Sequence, residues 1–217
     1  MDYLFFDVEC AKCIKGGAGF ICEFGYVITN SGFEILEQNH FMINPDHEFD
    51  KYALKKVLRY GEEEYEASPL FPEFYPKIAA LLDSSKYFIV GHSTSADKKY
   101  ILSECKRYGL PDLNYKYFDV KYPFMHFQEK KQPSKLEKML LELELEKPGD
   151  MHDARYDALS TMLVCKELCR RHSKTMTELF RTRKDGGTKA YSRGKNTSTL
   201  GDLLKAKGVD LQKLFEE

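Results

Sequence analysis

The chain switches between two-residue alternation and helical spacing. Tyr3-Leu-Phe-Phe-Asp-Val-Glu9 is apolar and aromatic apart from two acids, and residues 3–9 read as a buried strand. A Gly-rich loop, Lys15-Gly-Gly-Ala-Gly19, follows. Phe20 to Thr29 reads as a second strand, ended by the turn signal Asn30-Ser-Gly32, and Glu34 to Ile43 as a third, closed by Asn44-Pro45. Such short connections favour an antiparallel meander.

Helical spacing takes over next. Residues 51–60 carry Leu54, Val57 and Leu58, and residues 70–82 carry Phe71, Phe74, Ile78, Leu81 and Leu82 behind the start signal Ser68-Pro69. Tyr87-Phe-Ile-Val90 is a continuous apolar run, as a central strand covered on both faces requires. The pattern then predicts a helix over 95–108, a strand over Tyr115–Val120, a helix from Pro133-Ser134 through Leu145, and a long helix over Asp153–Arg171. Three consecutive strands followed by alternating helices and strands predict an α/β domain with a mixed sheet, its antiparallel part first. The periodicity fades near residue 180. Residues 1–178 are therefore expected to form the domain, and 179–217 a basic linker with a short helical appendage in which Thr199 and Asp210 cap helices.

Composition narrows the class. The chain has 217 residues, 42% hydrophobic and 31% charged, enough apolar material for a core and against disorder. No run approaches the roughly 20 apolar residues of a membrane span, and no basic leader precedes Met-Asp-Tyr-Leu, so a cytoplasmic protein is expected, with no membrane partner. The six cysteines then read as reduced thiols. Cys10, Cys13 and Cys22 suggest zinc as an alternative, but no second ligand pair stands at a finger-like distance. A net charge of −1 conceals an excess of nine Lys/Arg over five Asp/Glu in 181–217, a patch suited either to a phosphate backbone or to solvent.

The acids carry the chemistry. Alternate residues of a strand share a face, so Asp7 and Glu9 aim two carboxylates at one place, where they repel unless a hard cation such as Mg²⁺ draws both in. Asp97 follows the Tyr87–Val90 strand at the start of a helix, and Asp157 lies in the first turns of the last long helix; strand ends and helix starts are where an α/β sheet gathers ligands. His152 precedes Asp157 by five residues, about 140° around a helix, so it belongs in the entry loop rather than on the same helical face. Two cations and a histidine of near-neutral pKa can cleave a phosphodiester. Each acid alone would read as a surface charge or helix cap; together they form a constellation.

Phe6-Asp-Val-Glu9, Gly91-His-Ser-Thr-Ser-Ala-Asp97 and His152-Asp-Ala-Arg-Tyr-Asp157-Ala resemble the three motifs of the DnaQ-like (DEDDh) 3′→5′ exonucleases. Ile21-Cys-Glu-Phe-Gly25 is similar to the family's second strand and Phe118-Asp119 to its fifth. The resemblance implies an RNase H-like fold with a mixed five-stranded sheet. It also implies two Mg²⁺ or Mn²⁺ ions on Asp7, Glu9, Asp97 and Asp157, with His152 as general base, and a DNA or RNA 3′ end as substrate. Cys10 and Ala11 stand where the family contacts the terminal nucleotide, usually through Thr. Ser93 and Ala96 replace the commoner Asn and Phe. The competing expectation is a nucleic-acid- or polymerase-binding module that keeps the fold and docks through 181–217; a DNA polymerase or other replication or repair partner, and a proofreading role, are expected of the exonuclease itself. DNA versus RNA and the oligomeric state stay open at this level.

Overall fold

The computed structural model describes residues 1–14 and 18–181; the appendage helices expected from Thr199 and Asp210 lie outside the described residues. Five strands, β1 (Asp2–Ile14), β2 (Ala18–Thr29), β3 (Ile35–Met42), β4 (Tyr87–Gly91) and β5 (Phe118–Asp119), form one sheet in the order β3-β2-β1-β4-β5. The first three are antiparallel, and β4 and β5 join parallel. The helices are α1 (Lys51–Lys56), α2 (Glu62–Glu66), α3 (Phe71–Leu81), α4 (Ser95–Arg107), α5 (Lys121–Phe127), α6 (Leu136–Glu142), α7 (Ala154–His172) and α8 (Met176–Arg181). The mixed sheet and its antiparallel beginning are those expected from the order of periodicities.

Alternation along β1 separates two cores. Leu4, Phe6 and Val8 pack with Ile78 of α3 and Ile101 of α4, whereas Phe5, with Tyr3 beside it, packs with Met139 of α6 and Met162 and Cys165 of α7. A smaller cluster joins Ala11 and Cys22 to Phe49, Leu58 and Tyr65 around α1 and α2.

Four local expectations need correction. β1 continues to Ile14 instead of ending at Glu9, because its pairing with β2 carries on through Cys13–Gly19 and Ile14–Ala18. The strand expected over Tyr115–Val120 shrinks to Phe118–Asp119. Tyr115 turns into the first core, and its carbonyl accepts from Lys98 Nζ at 2.9 Å instead of from a strand. The helix expected from Pro133 begins at Leu136 and stops at Glu142. α5 and α8 were not anticipated; α8 crosses residue 178 and buries Leu179 and Phe180 in the second core.

Candidate active site

The face of β1 that carries Tyr3 and Phe5 in the core continues with Asp7 and Glu9. Opposite them on β2 stand Gly25, paired with Asp7, and Glu23, paired with Glu9. Gly25 is there for room: a Cβ at this position would overlap the main chain of Ala154 and Arg155, so only glycine lets α7 begin directly on the sheet. That approach sets Asp157, in the first turn of α7, beside the β1 carboxylates.

Asp97 arrives from the other side. β1 and β4 run parallel through Phe5–Val90, and the chain leaves β4 at Gly91, where a Cβ would stand 2.7 Å from Thr94 Oγ1 and 3.1 Å from the Phe6 carbonyl. The turn is tight enough to hold Ser93 at φ +63. It delivers Asp97 to the first turn of α4, in the crevice beyond the carboxyl ends of the parallel strands. His92 points away, with Nε2 3.0 Å from the Ser134 carbonyl, and so ties this turn to the segment before α6.

The four acids converge. Asp97 and Asp157 are buried, and among the described residues Asp97 Oδ2 and Asp157 Oδ1 have no hydrogen-bond partner. Burial, then repulsion from Asp97, Asp157 and Glu9, pushes the Asp7 carboxyl well above its usual range. Burial likewise raises Asp97 well above it, with Asp119 and Glu9 adding to the shift and Lys121 opposing it. Burial lifts Glu9 to about 7 and Asp157 to about 6. A crevice that crowds carboxylates and orphans their buried oxygens fits divalent cations, which bring the missing positive charge and take oxygen ligands.

His152 occupies the turn before α7 in the left-handed region, at φ +66, a conformation costly for a non-glycine residue. Its main-chain N–H donates to Asp157 Oδ2 at 3.1 Å, and its Nδ1 lies 3.3 Å from Glu9 Oε1. The hydrogen bond to Glu9 raises its pKa. The imidazole is half exposed, as a group that meets substrate should be. Donor atoms of Glu9, His152 and Asp157 lie within 4.8 Å of one another. Sequence reading missed Arg59, whose Nε donates to the Met151 carbonyl at 2.8 Å and steadies the His152 turn across 92 residues of chain. No local pattern marks it.

Cys10 and Ala11 are both buried, Cys10 in the first core and Ala11 in the small cluster with Tyr65. The Cys10 and exposed Cys13 thiols are hydrogen-bonded to each other, and Cys22, in the Ala11 cluster, lies near them. Two groups of candidate ligands are found among the described residues, and neither includes a cysteine. No helix of the described residues is long and apolar enough to cross a membrane.

The family model described as exonuclease, of the RNase T type, matches residues 4–165. No curated protein matches the chain. Solved structures share its fold. A 3′-exonuclease that recognises the 3′ end of a histone mRNA stem-loop is 16% identical, with a TM-score of 0.68, covering 80% of this chain. The chain spans only 65% of that protein's length. The nuclease domain of a DEDDh family member bound to rAMP is 16% identical, with a TM-score of 0.66, covering 80% of this chain and 94% of that one. Exonuclease X in complex with 5′-overhanging duplex DNA is 18% identical, with a TM-score of 0.63, covering 82% of this chain and 98% of that one.

Proposed function

The chain belongs to the exonuclease family whose model spans residues 4–165, and from that premise we propose that it is a metal-dependent 3′→5′ exonuclease. It removes 5′-mononucleotides from the 3′ ends of single-stranded DNA or RNA. The observation that carries this reading is the meeting of Asp7, Glu9, Asp97 and Asp157 in one crevice, from three elements, with His152 at its open side. The four carboxylates would hold two Mg²⁺ or Mn²⁺ ions. Such a pair neutralises charge on the phosphate and activates water for in-line displacement.

His152 is the proton acceptor for the attacking water. Its pre-set turn keeps the imidazole at the mouth of the crevice, and Glu9 orients the ring through Nδ1. Because the Cys10 and Ala11 side chains are buried, they would meet the terminal nucleotide through their main chain. One solved relative is bound to rAMP and another recognises the 3′ end of a histone mRNA stem-loop, which suits a nucleic-acid 3′ end as substrate. Six unpaired cysteines suit a reducing compartment such as the cytoplasm.

The test is digestion of matched DNA and RNA oligonucleotides in Mg²⁺, in Mn²⁺ and in chelator. A ladder that shortens from the 3′ end and releases mononucleotides is expected, abolished by chelator and by Asp7→Ala or His152→Ala. Internal cuts in a 3′-blocked strand, or an untouched free 3′ end, would overturn the reading.

A further inference from the structure

Behind the crevice lies a buried polar group that the proposed reaction does not use. Glu23 is fully buried, yet its carboxylate is saturated by donors from three elements. Tyr65 of α2 donates its hydroxyl to Oε1, the Ala154 N–H at the start of α7 donates to Oε2 at 3.2 Å, and His40 Nε2 of β3 sits 3.1 Å from the same oxygen. Next to it Asp153 caps α7, accepting from the N–H groups of Arg155 at 3.0 Å and Tyr156 at 3.3 Å, while the Tyr60 hydroxyl donates to its other oxygen at 3.3 Å. A buried carboxylate costs several kcal/mol unless well paired, so such a site points to a task beyond filling space.

The register supplies the task. Glu23 faces Glu9 across the β1–β2 ladder, and His40 faces Gly25, the residue on which α7 rests. Of the groups Glu23 holds, the Ala154 N–H opens the first turn of α7, the turn that carries Asp157 and receives the His152 N–H, while Tyr65 and His40 brace the same carboxylate from α2 and β3. We propose that Glu23 is a positioning residue: with His40 and Tyr65 it clamps the start of α7 onto Gly25 and so fixes Asp157 and His152 relative to Asp7 and Glu9. This rests on the exonuclease reading and extends it to a residue one layer behind the carboxylates. Side chains that orient a metal site from behind its ligands commonly govern affinity by about 10- to 100-fold.

The experiment uses the full chain with Glu23→Gln and Tyr65→Phe. The first keeps the shape but can no longer accept on both oxygens; the second leaves every charge in place. Mn²⁺ affinity is read by calorimetry, kcat and KM on a 3′-labelled single strand, and folding by thermal melting. Both variants are expected to bind Mn²⁺ about tenfold or more weakly and to lose kcat, with KM for the oligonucleotide within about twofold of wild type. Where Glu23→Gln does not fold, Tyr65→Phe carries the test. Variants that melt lower but bind Mn²⁺ and turn over as wild type does would reduce Glu23 to packing. A weakened Glu23→Gln beside an unchanged Tyr65→Phe would replace positioning by the charge of Glu23 alone. A wild type that neither binds Mn²⁺ nor shortens the strand overturns the exonuclease reading itself.

Discussion

A carboxylate aimed at other carboxylates is a debt against folding. Asp97 is buried, has one orphaned oxygen and is pushed toward its protonated form by burial and by Asp119 and Glu9. Asp97→Asn removes the charge at nearly constant shape. In chelator the variant should be more stable than wild type by about 1–2 kcal/mol, while the gain in melting temperature on adding Mn²⁺ should shrink. Calorimetric scans with and without Mn²⁺ check this; a variant less stable in chelator would refute it. Gly25 is the opposite case, a position where any side chain is excess. Gly25→Ala must lift α7 from the sheet, so unfolding in urea should show a loss of about 1–3 kcal/mol or more, with activity falling further than stability. An unchanged urea midpoint would mean that α7 does not need the close approach.

Among the elements, α7 is anchored at both ends. Its first turn is held by Asp153 and Glu23, and near its other end Glu167 accepts from Arg170 Nε at 2.8 Å and Arg171 Nε at 2.7 Å, while Arg171 also reaches the Leu143 carbonyl. These two guanidinium groups hold the Glu167 carboxyl down to about 2. A folded pKa below the unfolded one gives stability that is present above the unfolded value and lost as pH falls toward the folded one. Glu167→Gln should therefore cost under about 1 kcal/mol at neutral pH, a small figure because water screens the pair. The gap should close between about pH 5 and pH 2, as urea titrations across that range would show; a gap independent of pH would remove the charge from the account. The long periodic elements, β2, β3, α3, α4 and α7, were legible because apolar spacing alone defines them. The outer part of β1 was not, since Cys10-Ala-Lys-Cys13 lacks β-branched residues and depends on β2 for its hydrogen bonds. α5 was hidden by Pro123, which its first turn tolerates because the N–H there has no helical partner. The carboxylates were legible from strand parity and helix starts, whereas Arg59, Tyr60 and Tyr65 become neighbours of the crevice only once the chain has folded.

The described residues set one sheet between two large cores, and α8 packs into the second. Phe180 lies 5.1 Å from Phe118 and 5.6 Å from Phe88, ring centre to ring centre, while Met176 and Leu179 are buried beside it. The contribution of α8 is read by comparing a chain ending at Arg181 with one ending at residue 175. A chain ending at residue 175 forfeits three buried apolar side chains, about 1.5–3 kcal/mol each, and should melt far lower or fail to fold; equal melting of the two would place α8 outside the cooperative unit. The ladders on the two sides of β1 also differ in reach. Pairing with β4 stops at Phe5–Val90, whereas pairing with β2 persists to Ile14–Ala18. Asp7 and Glu9 lie beyond the β4 pairing but where the sheet is still three strands wide: their β2 partners Gly25 and Glu23 pair onward with His40 and Met42 of β3. Val8 between them is buried in the first core, and the β1–β2 register shifts only after Glu9, so a regular, buried ladder sets the gap between the two carboxylates. Two oxygen donors held in this way present a pre-set gap, and a cation whose radius does not match it is gripped less tightly.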